Sequence, residues 1–578
     1  MYLNPRTVLI LGCVILIMFL LLFRKLFFPF RMVRSKTRVI LLIIFIFGLS
    51  LRLFYVPHHH LVMWDEYLHL NAAETLMLTG ELANCRHGIP EKACYVLNEY
   101  THAPPVYATL HSALFKIFGV DARIGFLTSA IFSSLCILLI FALAYLLSRR
   151  GDLSLVAAFM YSVLPINLRF AGTMNIISMS SFFLILTICV FLIYSEKRER
   201  PVLLFFMALL LFSINTRVEN VLLVPLLIFA HLSFGKQSWK SKTNIMLVVA
   251  FLIGVIWIGS QTVSILFEDP ARQHNAFVGS ASELDPGRTY PVFLQFSIYK
   301  FRLPFIVNVE TEGASFGLSA DLKSRLMTEL HYQKQFWLSG AFQSGFLVVF
   351  FLLGALALRT ERRTFSFLLA FFVLFMFVSL IELCGNIVLN LRRAVIPLIP
   401  FCILAAYGAA WLFDVIKSIT KLKIIRYIYV GLFVLFLAAH LGNTDIIKEH
   451  RGDIFAAIVG AIEYGRTEIP DDCLVLSFYS EPVLSSMKKS AFSLKPPYSG
   501  FDYPTDDSCV VFFDTSPVTN AFPNVFSMSL SKIPRTALEF EQVLKRIRSE
   551  YTLVPFKTYT YEGVERFEFG FYMVERSK

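Results

Sequence analysis

The stretch Val39–Val56, VILLIIFIFGLSLRLFYV, is followed after a short polar link by Trp64-Asp65-Glu66-Tyr67-Leu68-His69. An apolar run of this length is what a helix needs to cross a hydrocarbon core about 30 Å thick. Two carboxylates and a histidine then stand just past its end, at the mouth of a membrane. Ionisable groups are costly beside lipid, so a cluster placed there is a functional-site candidate from the outset.

The rest of the chain makes the same demand. Of 578 residues, 56% are hydrophobic, 16% are charged and 59 are phenylalanine. Repeated long apolar runs of this kind specify transmembrane helices. Twelve segments qualify: Val8–Phe23, Val39–Val56, Ile124–Leu147, Leu153–Leu168, Ile176–Tyr194, Val202–Ile214, Val221–Phe234, Ile245–Leu266, Ala341–Leu358, Phe365–Ile381, Ala394–Phe413 and Ile424–Leu441. Val202–Ile214 and Val221–Phe234 are short. They read either as tilted helices extended through the polar 215–220 turn or as a pair that does not fully cross. The expected architecture is a polytopic all-α membrane domain of about twelve transmembrane helices over residues 1–441, with outer loops at 57–123 and 267–340. Residues 442–578 read as a small α/β domain. Cys473–Tyr479 and Cys509–Phe513 are β-prone runs, Glu539–Glu550 has helical spacing, and Tyr551–Tyr561 and Phe567–Val574 read as further strands.

Lysine and arginine in the short loops set the orientation. The first connection carries Arg24, Lys25, Arg31, Arg34, Lys36 and Arg38. Later ones carry Arg149 and Arg150; Lys197, Arg198 and Arg200; Lys236, Lys240 and Lys242; Arg359, Arg362 and Arg363; Lys417, Lys421, Lys423 and Arg426. Most fall on one side, which is then cytoplasmic. The Asp65 loop, the 215–220 turn, the second large loop and the tail face outward. Strict alternation of twelve full crossings does not put every basic loop on the cytoplasmic side, so at least one segment is expected to change. This asymmetry accounts for the net charge of +12 without a nucleic-acid partner. The positive charge follows Val8–Phe23 instead of preceding it, which marks a retained segment and not a signal peptide.

The nine cysteines form no CxxC pair and no zinc-like Cys/His spacing. Cys85, Cys94, Cys473 and Cys509 lie in outward regions. Two disulfides, Cys85–Cys94 and Cys473–Cys509, suit an oxidising exterior, and four free thiols are the alternative.

In the first outer loop, Asp65 to Thr79 has helix-forming composition and Gly80 sits where a C-terminal cap would. Pro105 begins a second helix through Phe118, followed by Gly119. Their apolar faces, Leu68, Ala72 and Leu76 in one and Val106, Leu110 and Leu114 in the other, predict helices lying along the membrane surface. Asp65 and Glu66 are adjacent and point about 100° apart on a helix, so they are not a dyad sharing one site, whereas Asp65 and His69 share a face. Asp65 is read either as a helix cap or as a catalytic carboxylate. His58, His59 and His60 are consecutive and do not all converge on one metal, so interfacial polar residues are the better reading, and mid-helix His111 is read as packing or surface and not as a ligand.

These pieces, in this order, are similar to the GT-C glycosyltransferases, in the branch of the protein O-mannosyltransferases and lipid A aminoarabinose transferases. The resemblance rests on Asp65-Glu66 after a transmembrane helix, the helix ending at Gly80, His102-Ala103-Pro104-Pro105, and Ile117-Phe118-Gly119. Further on, Thr216-Arg217-Val218-Glu219 resembles that family's Thr-Arg-Tyr-Glu turn, and Arg393-Ala394-Val395-Ile396-Pro397 its Arg-Tyr-x-x-Pro stretch. The likeness covers the membrane domain to about Phe413. Ala103, Ala394 and Asn175 depart from the pattern, Asn175 standing where a second acidic residue is expected, and leave the metal and the sugar open.

The resemblance implies an inverting membrane glycosyltransferase with a polyprenyl-phosphate-linked sugar as donor and a protein, glycan or lipid as extracytoplasmic acceptor. A carboxylate would act as general base, Asp65 first and Glu66 as its substitute. Arg217 and Arg393 would neutralise the lipid phosphate through paired hydrogen bonds, with ordinary snorkelling arginines as the alternative. His69, His102 and Glu219 complete the substrate-binding set. No cofactor is demanded; a divalent metal is left open, with His102, His274 and Glu310 as residues that would complete its site. The competing class is a transporter or flippase of lipid-linked sugars, disfavoured because no internal repeat is visible and the ionisable residues gather at the outer rim. A non-catalytic scaffold with a receptor-like outer domain is the third. The topology is testable by thiol labelling of intact cells. A cysteine introduced near Asp285 should be labelled and one near Lys240 should not, and the reverse pattern overturns the site assignments.

Overall fold

The computed structural model describes residues 5–58, 63–80, 82–85, 94–96, 105–234, 289–296, 301–310, 313–318, 345–381, 395–419, 453–470, 473–477, 490–493, 509–514, 551–562 and 566–576, with isolated positions from 427 to 441 and at 545 and 549. The described part is mostly helical. In chain order the helices are α1 (Pro5–Leu26), α2 (Phe28–Met32), α3 (Ser35–Ser50), α4 (Met63–Thr79), α5 (Pro105–Phe118), α6 (Ala122–Ser148), α7 (Gly151–Val163) and α8 (Pro165–Ala171). They continue as α9 (Ile177–Lys197), α10 (Arg200–Ile214), α11 (Leu223–Phe234), α12 (Gly345–Ala357), α13 (Arg362–Ile381), α14 (Leu398–Ile419) and α15 (Asp453–Thr467). Among the described residues, five helices are long and apolar enough to cross a membrane, or six if the bent pair α7–α8 forms one span. The chain is a polytopic membrane protein.

The spans differ in where they sit. Only 17% of the α1 span and 22% of the α3 span is buried, against 67% for α6 and 83% for α9. Leu9, Ile10, Leu20 and Leu21 on α1 and Ile40, Leu42 and Ile43 on α3 are exposed, which is the pattern of side chains facing lipid. One continuous core, including Ile137 and Phe141 of α6, Met160 of α7, Ile188 of α9, Phe205 of α10 and Leu404 of α14, fills the interior. Local chemistry sets the helix ends. Asp121 caps α6 by accepting the Arg123 N–H at 2.8 Å, and Arg149 ends it in the left-handed region at φ 58°.

Ion pairs gather where helices end on the basic side. Lys25 pairs with Glu199, Arg149 with Glu196 at 2.6 Å, and Arg150 with both Asp152 at 2.8 Å and Asp414 at 2.9 Å. These pairs tie α1, α6, α9, α10 and α14 together at one end of the bundle. They are partly exposed, so each contributes little alone.

One sequence expectation changes and others gain detail. Leu153–Leu168 is not one straight helix: α7 and α8 meet at a 58° bend. Pro165 is the cause, since it forces Leu164 into an extended conformation (ψ 122°) and lacks the N–H that would continue the ladder. The short segments are α10 and α11, of 15 and 12 residues, joined by a buried turn. The region between residues 267 and 340 contains an antiparallel sheet of β3 (Thr289–Phe296), β4 (Phe301–Glu310) and β5 (Gly313–Leu318). Finally, α15 and β7 were not legible as elements. Ile245–Leu266 lies outside the described residues, and Ile424–Leu441 almost wholly so.

The smaller strands are β1 (Ala83–Cys85) and β2 (Cys94–Val96), whose antiparallel register sets Cys85 opposite Cys94. Towards the C-terminus, β6 (Leu474–Ser477), β7 (Ser490–Ser493), β8 (Val510–Asp514), β9 (Tyr551–Glu562) and β10 (Arg566–Arg576) form one mixed sheet in the order β7-β6-β8-β10-β9. A disulfide joins Cys473 to Cys509, at the entrances of the paired strands β6 and β8.

Helices α12 and α14 approach backbone to backbone. A Cβ at Gly354 would overlap the Leu404 carbonyl, and one at Gly408 the Phe350 carbonyl. Small residues at such crossings are how membrane helices pack closely. Alanine normally favours a helix over glycine by about 0.5–1 kcal/mol, but here it must push two backbones apart. Gly354→Ala and Gly408→Ala should each lower the melting temperature in detergent, by the equivalent of about 1–3 kcal/mol. Gly431→Ala, with nothing within 4 Å, should not.

Candidate active site

Helix α4 carries the Asp-Glu pair. Met63 and Trp64 precede Asp65 within it, so Asp65 lies inside the helix and is not its cap. Its partner Glu66 is fully buried, and His69, Asn71, Glu74 and Thr75 on the same helix are buried too. So much buried polarity requires partners on neighbouring elements. Glu66 has one in the turn after α8, where the Met174 backbone N–H donates to its Oε2 at 3.2 Å.

That turn is held from several directions. Asn175 Oδ1 accepts from Ile177 N–H at 3.2 Å, and Thr173 Oγ1 donates to Phe170 O at 2.9 Å. Gly172 lies so close to Pro57 that a Cβ there would overlap the Pro57 carbonyl. The link from α3 to α4 is thus seated on the turn that meets Glu66. His58 adds a bond from its Nε2 to the Arg52 carbonyl at 3.0 Å. His59 and His60 lie outside the described residues.

Helix α5 packs on α4 through Ala72, Ala73 and Leu76 against Ala108 and Phe115. Phe115, not Leu114, is the deeply buried residue of the α5 face. Tyr107 sits between two histidine rings, with centroids 5.2 Å from His69 and 4.0 Å from His111. Burial holds the Tyr107 phenol well above its usual range; the Glu66 charge adds to this and Ser129 opposes it. Its hydroxyl therefore stays protonated beside a carboxylate. His111 Nδ1 donates to the Tyr107 carbonyl at 2.9 Å, and burial depresses its pKa from 6.5 to about 4. His111 is a neutral packing group, as its mid-helix position suggested.

The start of α5 touches the turn after α10, where Val106 N–H donates to the Asn215 carbonyl at 3.4 Å. Asn220 fastens that turn to α9, its Nδ2 lying 2.9 Å from Ser180 Oγ and 3.0 Å from Thr216 Oγ1. Arg217, 4% exposed, is the charge it presents. The guanidinium fork expected to close on a phosphate is closed on Glu219 instead, Nε and Nη2 both at 2.8 Å from its two carboxylate oxygens. A buried guanidinium with no anion would carry a large desolvation penalty, and Glu219 supplies the anion from two residues away. Of the Arg217 guanidinium nitrogens, Nη1 is buried without a hydrogen-bond partner among the described residues.

The structure therefore brings Glu66, His69, Tyr107 and the 172–175 turn together, and ties the Arg217–Glu219 turn to the start of α5. His102 and Arg393 lie outside the described residues, as does His274; Asp65 is described as backbone only. Among the described residues, no three His, Cys, Asp or Glu side chains group as a metal site. Two residues escaped the sequence reading. Tyr107 stands in no motif that marks it in the sequence. Arg52 carries a signal, an ionisable residue within a transmembrane run.

Residues 102–258 match the family described as dolichyl-phosphate-mannose-protein mannosyltransferase. The match takes in α5, the 172–175 turn and Arg217–Glu219, and begins after Asp65-Glu66. Comparison with curated proteins found no match. Among solved structures, the Archaeoglobus fulgidus oligosaccharyltransferase AglB, in complex with an inhibitory peptide and a dolichol-phosphate, is 13% identical with a TM-score of 0.47. It covers 79% of this chain, and this chain spans 64% of its length. ArnT from Cupriavidus metallidurans bound to undecaprenyl phosphate is 11% identical with a TM-score of 0.46, over 86% of this chain and 96% of that one. Over residues 102–258 the chain is similar to the dolichyl-phosphate-mannose-protein mannosyltransferase family.

The buried imidazole gives a pH test. Between pH 6.5 and about 4 the unfolded chain binds a proton at His111 that the folded chain does not. Stability present above pH 6.5 is therefore lost as pH falls towards 4. Melting temperatures of the wild type and of His111→Phe, measured from pH 7 to 4.5, should show a steeper acid decline in the wild type.

Proposed function

We propose that this protein is an integral membrane glycosyltransferase. It moves a sugar from a polyprenyl-phosphate donor to an extracytoplasmic acceptor, with inversion, in a site at the end of the bundle where α4 meets the 172–175 turn. The observation that carries the reading is the Glu66–Met174 contact. It joins the Asp-Glu helix, which precedes the family match, to a turn inside that match. The buried polarity of α4 at this end and the ion-paired basic turns at the other agree with an outward-facing site.

In this reading Asp65 is the general base. The acceptor oxygen attacks the anomeric carbon while its proton passes to the Asp65 carboxylate. The bond from that carbon to the phosphate oxygen breaks, and the electron pair leaves with the polyprenyl phosphate. A single displacement inverts the anomeric centre. Base catalysis of this kind contributes about 10²–10⁴-fold. Glu66, already accepting Met174 N–H, anchors the helix and is the substitute base. The departing phosphate needs no proton if cations meet it, and Arg393, His102 and the unpartnered Nη1 of Arg217 are assigned that task. Glu219 orients Arg217, and His69 contributes to the substrate pocket beside Tyr107. No step is routed through a metal.

Asp65→Asn is the deciding variant. Asparagine keeps the size of aspartate but accepts no proton, so transfer should fall by about 10²-fold or more. The melting temperature and binding of donor lipid should hold. A stable Asn variant with near-normal turnover removes Asp65 from the mechanism and moves the base to Glu66.

A further inference from the structure

Arg52, in the π-helical turn Leu51–Tyr55 that continues α3, is fully buried. Among the described residues no carboxylate pairs with it. Its Nη1 donates to the carbonyls of Gly48 at 2.9 Å and Ser162 at 3.0 Å, and its Nε donates to Ser133 Oγ at 2.8 Å. Nη2 is buried without a hydrogen-bond partner. An unpaired cation in a membrane bundle carries a large desolvation penalty. Its location explains what offsets that penalty.

Ser162 is in the last turn of α7, just before the bend at Leu164 and Pro165. The last four carbonyls of a helix have no partners within it, and they form the negative end of its dipole. In water they would be solvated; here the interior must supply donors. Asn167 Nδ2 reaches the Tyr161 carbonyl at 3.5 Å, and Arg52 takes the Ser162 carbonyl. The guanidinium is thus a cap for the broken end of α7, and through Ser133 it also holds α6. Packing around it is tight: a Cβ at Gly48 would overlap Ile137 Cδ1 and press on Ser162 Cβ at 3.1 Å.

The broken end leads directly to the site. From the bend, α8 runs seven residues to the turn whose Met174 N–H meets Glu66. The same arginine receives His58 on its backbone carbonyl, on the link to α4. We propose that Arg52 is a positioning residue for glycosyl transfer: by capping the broken end of α7 it sets where α8 delivers the 172–175 turn against Glu66. The catalytic half of this statement rests on the transfer reading above; the positioning half does not.

The test separates the two halves. Hydrogen–deuterium exchange of the full-length protein in detergent reads the 172–177 segment directly, in wild type, Arg52→Met and Arg52→Lys. Methionine keeps length and apolar bulk but donates nothing. Exchange of that segment should quicken at least tenfold in Arg52→Met and by less in Arg52→Lys, which can still reach one carbonyl. Exchange in α14 should not change. If Arg52→Met fails to fold, Ser133→Ala, which removes only the Nε partner, should give a smaller rise in the same segment.

Wild-type exchange at 172–177 in a folded Arg52→Met, or in folded Arg52→Lys and Ser133→Ala together, overturns the proposal. Turnover of a polyprenyl-phosphate sugar by the same proteins supplies the second reading. The turnover number should fall at least tenfold in Arg52→Met with the KM for donor unchanged, and Arg52→Lys should recover part of it. A uniform loss of melting temperature with normal turnover per folded molecule means Arg52 only stabilises the fold, and also overturns the proposal. A wild type that transfers no sugar refutes the transfer reading, while the exchange result still decides whether Arg52 positions the turn.

Discussion

A proline in the middle of an apolar run creates a debt of hydrogen bonds that a bundle interior cannot settle with water. Pro165 breaks the helix begun at Gly151, and the carbonyls at the end of α7 must find donors among side chains. Arg52 and Asn167 supply them. Once the break is held, α8 has a fixed direction, and the turn after it reaches Glu66. The candidate site depends on this sequence of constraints more than on any contact inside it.

The same requirement shapes the rest of the site. Asn220 gathers Ser180 and Thr216 because a polar turn between α10 and α11 has to be satisfied from within. Arg217 has its own carboxylate two residues on, because a buried cation persists only with an anion or a set of dipoles close by. Tyr107 keeps its proton beside Glu66 since burial disfavours the phenolate. The result is a group of polar side chains with few degrees of freedom, as positioning for chemistry requires.

The opposite end of the bundle works by other physics. Its charges pair at the surface, where the gain per pair is small and the arrangement is tolerant. Long helices of modest burial, α1 and α3, cover one side and present leucine and isoleucine outward. The division between a rigid polar end and a tolerant ionic end agrees with chemistry confined to one side of a membrane.

Much of this was legible in the residues. Apolar length decided the spans at α1, α3, α6 and α9; the helix ending at Gly80 came from its composition and that glycine, and the helix ending at Gly119 from Pro105 and that glycine. Both glycines have positive φ, 77° and 85°, as a left-handed stop requires. These features are local: they depend on a few neighbours in the chain, so one sequence carries them. The bend at Pro165, the closure of Arg217 on Glu219, the cap that Arg52 forms on α7 and the seat of Met174 on Glu66 were not legible. The last two join polar groups far apart in the chain, 110 residues for Arg52 and Ser162 and 108 for Glu66 and Met174, so three-dimensional proximity selects the partner. The sequence by itself determined which segments leave water and which residues carry charge into them. Only the tertiary structure decided which buried donor meets which buried acceptor, because that pairing is set by how the helices pack.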